Sequence, residues 1–537
     1  MYINNKVLIG KNKEKELAII LDKANRHGLI TGASGSGKTI TLKVMAESFS
    51  SAGVPVFLAD VKGDIAGTCM PGENSEKIQS RLSNLEIDDF KFRGFPIHFW
   101  DVYGKKGHPI RTTVKDLGPT ILSRMLGLSE AGEGVLNIAF KIAEDDGLEL
   151  IDLKDLKLLL TWIGDNRQDY ITKYGNITTQ SVGVIQRGIL NLENQGGTSF
   201  FGEPNLDIND FIKINQDGLG YINIMDCVEL FKSPDLYACF LLWLLTTLYQ
   251  TLPEVGDLDK PKVVFFFDEA HLLFDDMPSH MLKEVTQIVK LIRSKGIGLY
   301  FISQAPTDIP DAIISQLGNR VQHNLRAYTP SEEKIVKTAA AAFRKNPNFD
   351  TEEAIKSLGT GEALVSFQTE TGEPSIVEKC TILPPQSLMG AIDDSIRLMV
   401  MANSLFKGKY DTPDDRETAY EKLSQKLAEI EKEKQLAEKL KEEEKQQKEA
   451  EKELAKQQKE EARLKREEEK AAREKERERK NSIGYKVLKK GGNKILNKAL
   501  NKGVDALFGD SKKSSKKKSS DGIGETLAKG LFKNLFK

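Results

Sequence analysis

The run Gly28-Leu29-Ile30-Thr31-Gly32-Ala33-Ser34-Gly35-Ser36-Gly37-Lys38-Thr39, with Leu42, Val44 and Met45 behind it, decides the fold. The apolar residues at its start read as a strand, and those after it return at helical spacing. Between them the glycines free the backbone to wrap its N–H groups around an anion at a helix start, where the partial positive charge favours phosphate. In this pattern Gly32, Ala33, Ser34, Gly35, Ser36 and Gly37 form a phosphate cradle, with Lys38, Thr39 and Thr41 at the head of the helix. Lys38 is expected to reach the β- and γ-phosphates, and the Thr39 hydroxyl to bind Mg²⁺. A Gly-rich turn alone does not need a strand before it and a helix after it. The implied cofactors are ATP and Mg²⁺.

The second half of such a site is Val263-Val264-Phe265-Phe266-Phe267-Asp268-Glu269. Its five apolar residues predict a strand buried on both faces, ending in two carboxylates. Strand ends are where open α/β sheets bind ligands. Asp268 is placed to hold Mg²⁺ through its water shell, and Glu269 to orient and deprotonate the attacking water. A third strand, Gly298 to Ser303, ends at Gln304, a polar residue suited to sensing the γ-phosphate; a loop-capping role is the plainer alternative. A fourth, Val54 to Ala59, ends in Asp60-Val61-Lys62-Gly63-Asp64, to which a supporting role is assigned. The fold class that follows is α/β, with a mainly parallel sheet.

Charge is distributed unevenly. Residues 481–537 carry 14 lysines against four acids, a net of +10, and residues 421–480 sit near balance; with a whole-chain total of −1, the first 420 residues are acidic, at −12. That excludes a body coated for nucleic-acid binding, so any DNA contact is local, as in a channel. Ala238 to Leu248 is the longest apolar stretch and too short to span a bilayer, so integral membrane association is not expected. With no signal pattern at the N-terminus, a cytoplasmic protein is expected. Cys69, Cys227, Cys239 and Cys380 lack metal-ligand spacing and read as reduced, packed thiols.

Residues 1–405 read as the catalytic body, within which 113–195 show helical patterns and form an inserted, mostly α-helical subdomain. At 415–480 the composition turns to Glu, Lys, Gln, Arg and Ala without Gly or Pro, predicting a long helix supported by pairs such as Glu444 with Lys448. Leu423, Leu427 and Ile430 begin at coiled-coil spacing, but the apolar positions then thin out, favouring a solvated helix over a stable coiled coil. Residues 481–522 are Lys/Ser/Gly-rich and expected to be disordered. Residues 523–537 place Ile523, Leu527, Leu531, Phe532, Leu535 and Phe536 on one helical face and Lys529, Lys533 and Lys537 on another, an amphipathic basic helix.

The phosphate loop, the separate Asp268-Glu269 strand and the Gln304 strand, split by a long insertion, resemble HerA/FtsK-type ATPases, ring-forming motors that pump or unwind double-stranded DNA. Further blocks resemble the bacterial YjgR-like group of HerA-like helicases: Asn25-Arg26-His27-Gly28, Ala59-Asp60-Val61-Lys62-Gly63-Asp64, Gln195-Gly196-Gly197 with Phe200-Phe201-Gly202-Glu203-Pro204, Arg326-Ala327-Tyr328-Thr329-Pro330, and Gly361-Glu362-Ala363-Leu364-Val365-Ser366. The resemblance covers about residues 10–390 and implies a RecA/FtsK-like P-loop NTPase fold, a homo-oligomer, usually a hexamer, and double-stranded DNA as partner. It also implies an arginine completing a neighbour's site, for which Arg26, Arg293 and Arg320 are the candidates. With the loop starting at Gly32, the N-terminal β-barrel of HerA proteins is not expected.

The leading reading is therefore an ATP-driven DNA translocase or helicase. A non-motor alternative is an ATP-dependent switch or scaffold that binds a protein partner through the charged helix and tail. Asp268-Glu269-Ala270-His271 also matches two-lobed DEAH helicases, but nothing after Gln304 supplies their second lobe.

Overall fold

The computed structural model of the chain describes residues 1–487. Within them one sheet collects strands β1 (Tyr2–Ile3), β2 (Lys6–Lys11), β3 (Glu16–Ile20), β4 (Gly28–Thr31), β5 (Val56–Asp60), β6 (Ile97–Asp101), β7 (His108–Pro109), β8 (Ile222–Asp226), β9 (Val263–Phe267), β10 (Ile297–Ser303), β11 (Asn319–Gln322), β12 (Glu362–Ser366) and β13 (Glu378–Ile382). The order is β1-β2-β13-β12-β11-β4-β10-β9-β5-β8-β6-β7, with β3 beside β2. From β11 to β7 all neighbours are parallel, whereas β12, β13, β2, β1 and β3 form an antiparallel flank.

The parallel part is central because its strands are apolar on both faces. Every residue of β5, β9 and β10 is buried, as a parallel sheet covered on two sides requires. Alternation then divides the side chains between two cores. Val56 and Leu58 pack with Val44, Met45 and Phe49 of helix α1 (Lys38–Ser51), while Phe57 and Ala59 face the helices of the insertion. Those helices are Val114–Met125, Glu130–Asp145, Leu153–Asp165, Arg167–Tyr174 and Thr179–Asn194. In the third, Leu156, Leu159, Leu160 and Ile163 supply the buried face at i, i+3, i+4 and i+7.

Two differences from the sequence reading bear on the site. The strand expected at Val54 to Ala59 runs instead from Val56 to Asp60, and β8 ends on Asp226, so both aspartates are terminal strand residues. In addition, β6 enters the sheet beyond β8. Parallel pairing brings Thr31, Asp60, Asp101, Asp226, Phe267, Ser303 and Gln322 to one edge.

The long helix spans Ala419–Val487, so residues 481–487, expected to be disordered, continue it. Residues 488–537, including the expected helix 523–537, lie outside the described residues. The helix starts inside a compact unit, Met1–Glu433. From Lys434 to Arg479 its residues are exposed. Its start is anchored by Asp155, which is fully buried. One carboxylate oxygen accepts from the Ile151 and Asp152 N–H groups at 2.8 and 3.0 Å, and the other from the Thr418 hydroxyl at 2.5 Å and the Tyr420 N–H at 2.8 Å. Arg416 adds ion pairs to Glu203 and Glu149. Asp155→Ala leaves the Ile151, Asp152 and Tyr420 N–H groups without their acceptor and is expected to cost about 3 kcal/mol of stability, read as a fall of several degrees in melting temperature. An unchanged melting temperature would show that this anchor contributes nothing.

Candidate active site

The loop after β4 has its geometry imposed by neighbours. Gly32 and Gly37 adopt φ values of +153° and +116°, which side-chain-bearing residues rarely take. A Cβ on Gly32 would sit 2.5 Å from the His323 Cβ, so space as well as dihedral angle demands glycine there. The Gly32 N–H donates to the Gln304 carbonyl at 3.2 Å, the Ala33 N–H to that of Asn324 at 2.8 Å, and the Gly361 N–H to that of Ser36 at 3.1 Å. The loop is thus held from β10, from β11 and from the turn before β12. The first-turn N–H groups of α1 have no intrahelical acceptor and face the same edge.

Lys38 donates to the carbonyls of Gly32 at 2.5 Å and Ala33 at 3.3 Å. Burial pushes its ammonium below the ordinary lysine value, while the charges of Glu269 and Asp268 pull it back. Those two carboxylates therefore act on Lys38 although β10 lies between β4 and β9. Thr39 is half-buried at the mouth, and Ser34 and Gly35 are exposed. The Ser36 hydroxyl is buried without a partner. Thr41 is further inside: its hydroxyl donates to His323 Nε2 at 2.9 Å, because His323 Nδ1 donates to the Glu362 carbonyl at 2.9 Å. Burial drops His323 to about 4, which keeps it neutral in this relay. Thr41 therefore fixes the base of α1 against β11.

At the end of β9, burial raises Asp268 to about 7, with the Glu269 charge adding to it and Lys62 and Lys38 opposing. Its Oδ1 accepts from the Glu269 N–H at 2.9 Å, and its carbonyl from the Tyr237 hydroxyl at 2.7 Å. Glu269 has φ +46°, a left-handed value that a glutamate adopts only where its surroundings impose it. Its Oε2 is buried without a hydrogen bond, 3.4 Å from a His271 Nδ1 in the same condition. An unsatisfied buried carboxylate oxygen at the mouth of a phosphate loop is suited to accept from a water placed there. Unpartnered buried oxygens on Ser36 and Glu269, and a lysine on which the charges of Glu269 and Asp268 act, fit a magnesium-bound triphosphate; Thr39 and Asp268 are the residues that would hold the ion.

Gln304 is exposed, directly after β10, with its carbonyl on the loop. Asp308 braces this turn by accepting from the Ser303 hydroxyl at 2.6 Å and the Ala305 N–H at 2.8 Å. On the other flank Asp60 accepts from the N–H groups of Lys62, Gly63 and Ile65. The roles of Asn324, Asp308, His323 and Gly361 escaped the sequence reading because each acts through backbone atoms or across long sequence separations. Only the blocks at 326–330 and 361–366 hinted at them.

The three arginines separate. Arg26 precedes β4 and Arg293 precedes β10, so both lie at the sheet edge opposite the loop. They flank buried His27, whose Nε2 donates to the Val289 carbonyl and whose Nδ1 accepts from the Leu299 N–H. Burial lowers His27 to about 4, and both arginine charges push the same way. Arg320, in contrast, sits on β11 with its guanidinium committed to the carbonyls of Leu317, Ile314 and Ala342.

Chemically, the edge combines a glycine-rich loop at a helix start, a lysine, a threonine and two adjacent carboxylates, the kinds of group that phosphoanhydride hydrolysis uses. The chain is 23% identical over 366 residues, 67% of its length, to the DNA double-strand break repair helicases HerA of Sulfolobus acidocaldarius and Saccharolobus solfataricus, and spans 65% and 64% of their lengths. Among solved structures, VirB4 of Thermoanaerobacter pseudethanolicus superposes with a TM-score of 0.47 at 14% identity, over 71% of this chain and 98% of that one. The bacterial conjugative coupling protein TrwB superposes with a TM-score of 0.45 at 12% identity, over 69% and 89%. The family described as Helicase HerA-like C-terminal matches residues 5–513, and the chain belongs to that family.

Proposed function

We propose that the chain is an ATP-hydrolysing motor of the YjgR-like bacterial group, working on double-stranded DNA as a homo-oligomeric ring. The observation that carries the hydrolase reading is the placement of Lys38, Asp268, Glu269 and Gln304 at one sheet edge, with Glu269 Oε2 unsatisfied. Lys38 holds the β- and γ-phosphates, Glu269 takes a proton from the attacking water, and Gln304 reads the γ-phosphate. Thr39 and Asp268 would hold Mg²⁺, which would supply charge neutralisation for the phosphates. The ring reading is supported by Arg26 and Arg293, whose edge faces away from their own loop.

The test is ATPase activity and particle size with and without linear duplex DNA. Hydrolysis rising several-fold with DNA in a ring is expected, and Lys38→Ala abolishes tight nucleotide binding and turnover. Hydrolysis by a monomer indifferent to DNA removes the ring and DNA assignments, and no hydrolysis removes the ATPase assignment. For the scaffold reading, a truncation belongs after Glu433, because Ala419 and Leu423 at the start of the long helix are core residues. A motor keeps its nucleotide-dependent activity without residues 434–537, whereas a scaffold loses its partner.

A further inference from the structure

Lys62 is an exposed lysine on the β5 flank of the site, in the turn that Asp60 braces. Parallel pairing sets Val56, Phe57 and Leu58 of β5 opposite Val264, Phe265 and Phe266 of β9. Continued by two residues, that register puts Asp60 level with Asp268, about 4.8 Å to the side. Beyond this point the chain turns at once. Asp60 Oδ1 accepts from the Gly63 N–H at 2.7 Å and the Lys62 N–H at 3.3 Å, Oδ2 accepts from the Ile65 N–H at 3.1 Å, and Gly63 takes φ +75°. The backbone under Lys62 is therefore fixed, at the level of the carboxylates and on the side of β9 away from the phosphate loop.

The ammonium makes no hydrogen bond or ion pair to another described residue. A lysine beside two carboxylates normally closes a salt bridge with one of them. Its charge is nevertheless felt there: among the groups that favour ionised Asp268, Lys62 comes before Lys38. Lys62 also acts on Lys38 with repulsion. Lys62, after β5, and Lys38, after β4, thus both act on Asp268 while neither pairs with it, which leaves the edge between them suited to an anion.

We propose that Lys62 is a catalytic residue of the same chain, donating from Nζ to a non-bridging oxygen of the γ-phosphoryl group as it is transferred. The inference rests on the ATPase reading above. In the step, water oxygen bonds to the γ-phosphorus, the bond from that phosphorus to the β–γ bridging oxygen breaks, and its electron pair leaves on ADP. The water proton passes to Glu269, and Lys62 stays protonated throughout. As the transferred group loosens, charge gathers on its outer oxygens, so a cation there stabilises the transition state more than the ground state.

The experiment compares wild type, Lys62→Met, Lys62→Ala and Lys62→Arg in steady-state ATPase assays and in equilibrium binding of ATP with Mg²⁺. Methionine keeps the apolar stem and removes the charge, so it separates chemistry from loop packing, with melting temperature as the control. The expected result is a fall in kcat on the order of 100-fold for Lys62→Met, ATP affinity within about threefold, and substantial recovery in Lys62→Arg. Three outcomes overturn the proposal: kcat retained in a folded Lys62→Met, ATP binding lost in parallel with kcat, or basal turnover retained while only DNA stimulation is lost. Wild-type protein without ATPase activity instead sinks the ATPase reading, and the two failures are distinct.

Discussion

Glu269→Gln is expected to lower the single-turnover rate of ATP hydrolysis by about 10³-fold, roughly 4 kcal/mol of transition-state stabilisation, while ATP binding is retained. Glutamine has the same length and keeps an acceptor near His271, so the strained backbone at φ +46° has no new reason to relax. What disappears is the group that takes the proton. The substitution has a second, electrostatic effect on Asp268, whose value near 7 owes its rise to burial first and to the Glu269 charge second. Without that charge Asp268 moves down toward the ordinary carboxylate range and is more fully ionised at neutral pH. Mg²⁺-dependent ATP binding should therefore be equal to or tighter than in wild type, giving a trapped ATP-bound form. The check is fluorescent-ATP binding beside a quenched single-turnover assay. A variant keeping a tenth of wild-type turnover would place the base elsewhere.

The site was legible in the sequence where its chemistry depends on contiguous residues. The loop Gly32–Thr39 and the pair Asp268-Glu269 carry their own context, since a strand precedes each and apolar periodicity announces it. The parallel strands β5, β9 and β10 were equally readable as continuous apolar runs. By contrast β6 was missed because His98 and Asp101 interrupt Ile97, Phe99 and Trp100, making the run look half-polar although all five residues are buried. The flank of β12, β13 and β2 was missed because its strands pair between residues 6–11 and 362–382, and no local pattern reports such a pairing. Helix α1 shows the same limit in reverse. Lys43 and Glu47 are charged, yet both are buried, with Glu47 accepting from Gln386 and Ser387 backbone N–H groups at 2.7 and 3.1 Å. Burial and satisfaction by distant partners override helical amphipathicity there. Lys62 lay in a noticed motif, but its importance depends on the register between β5 and β9, which only the fold supplies.

Arg26→Ala and Arg293→Ala are each expected to lower kcat by about 10³-fold, and the loss should be repaired by a partner that cannot itself hydrolyse ATP. The argument is one of reach. The seven residues of β10 put roughly 20 Å between its ends, so an arginine before the strand cannot touch a phosphate at the far edge of its own sheet. In a head-to-tail ring, however, each subunit presents that far edge to a different copy. A chain with Lys38→Ala has no working loop but intact arginines; a chain with Arg26→Ala has the reverse defect. Mixed in equal amounts, roughly a quarter of random interfaces join a sound loop to sound arginines, and activity should rise well above that of either variant alone. Fold is not the obstacle to this experiment. His27 is neutral because it is buried, whether or not Arg26 is present, so both variants should assemble and melt as wild type does. A mixture no more active than its components, from rings shown to exchange subunits, would mean that these arginines serve their own chain or only the packing around His27. The search for the completing residue would then move to Arg326, exposed two residues beyond the Asn324 carbonyl that holds Ala33.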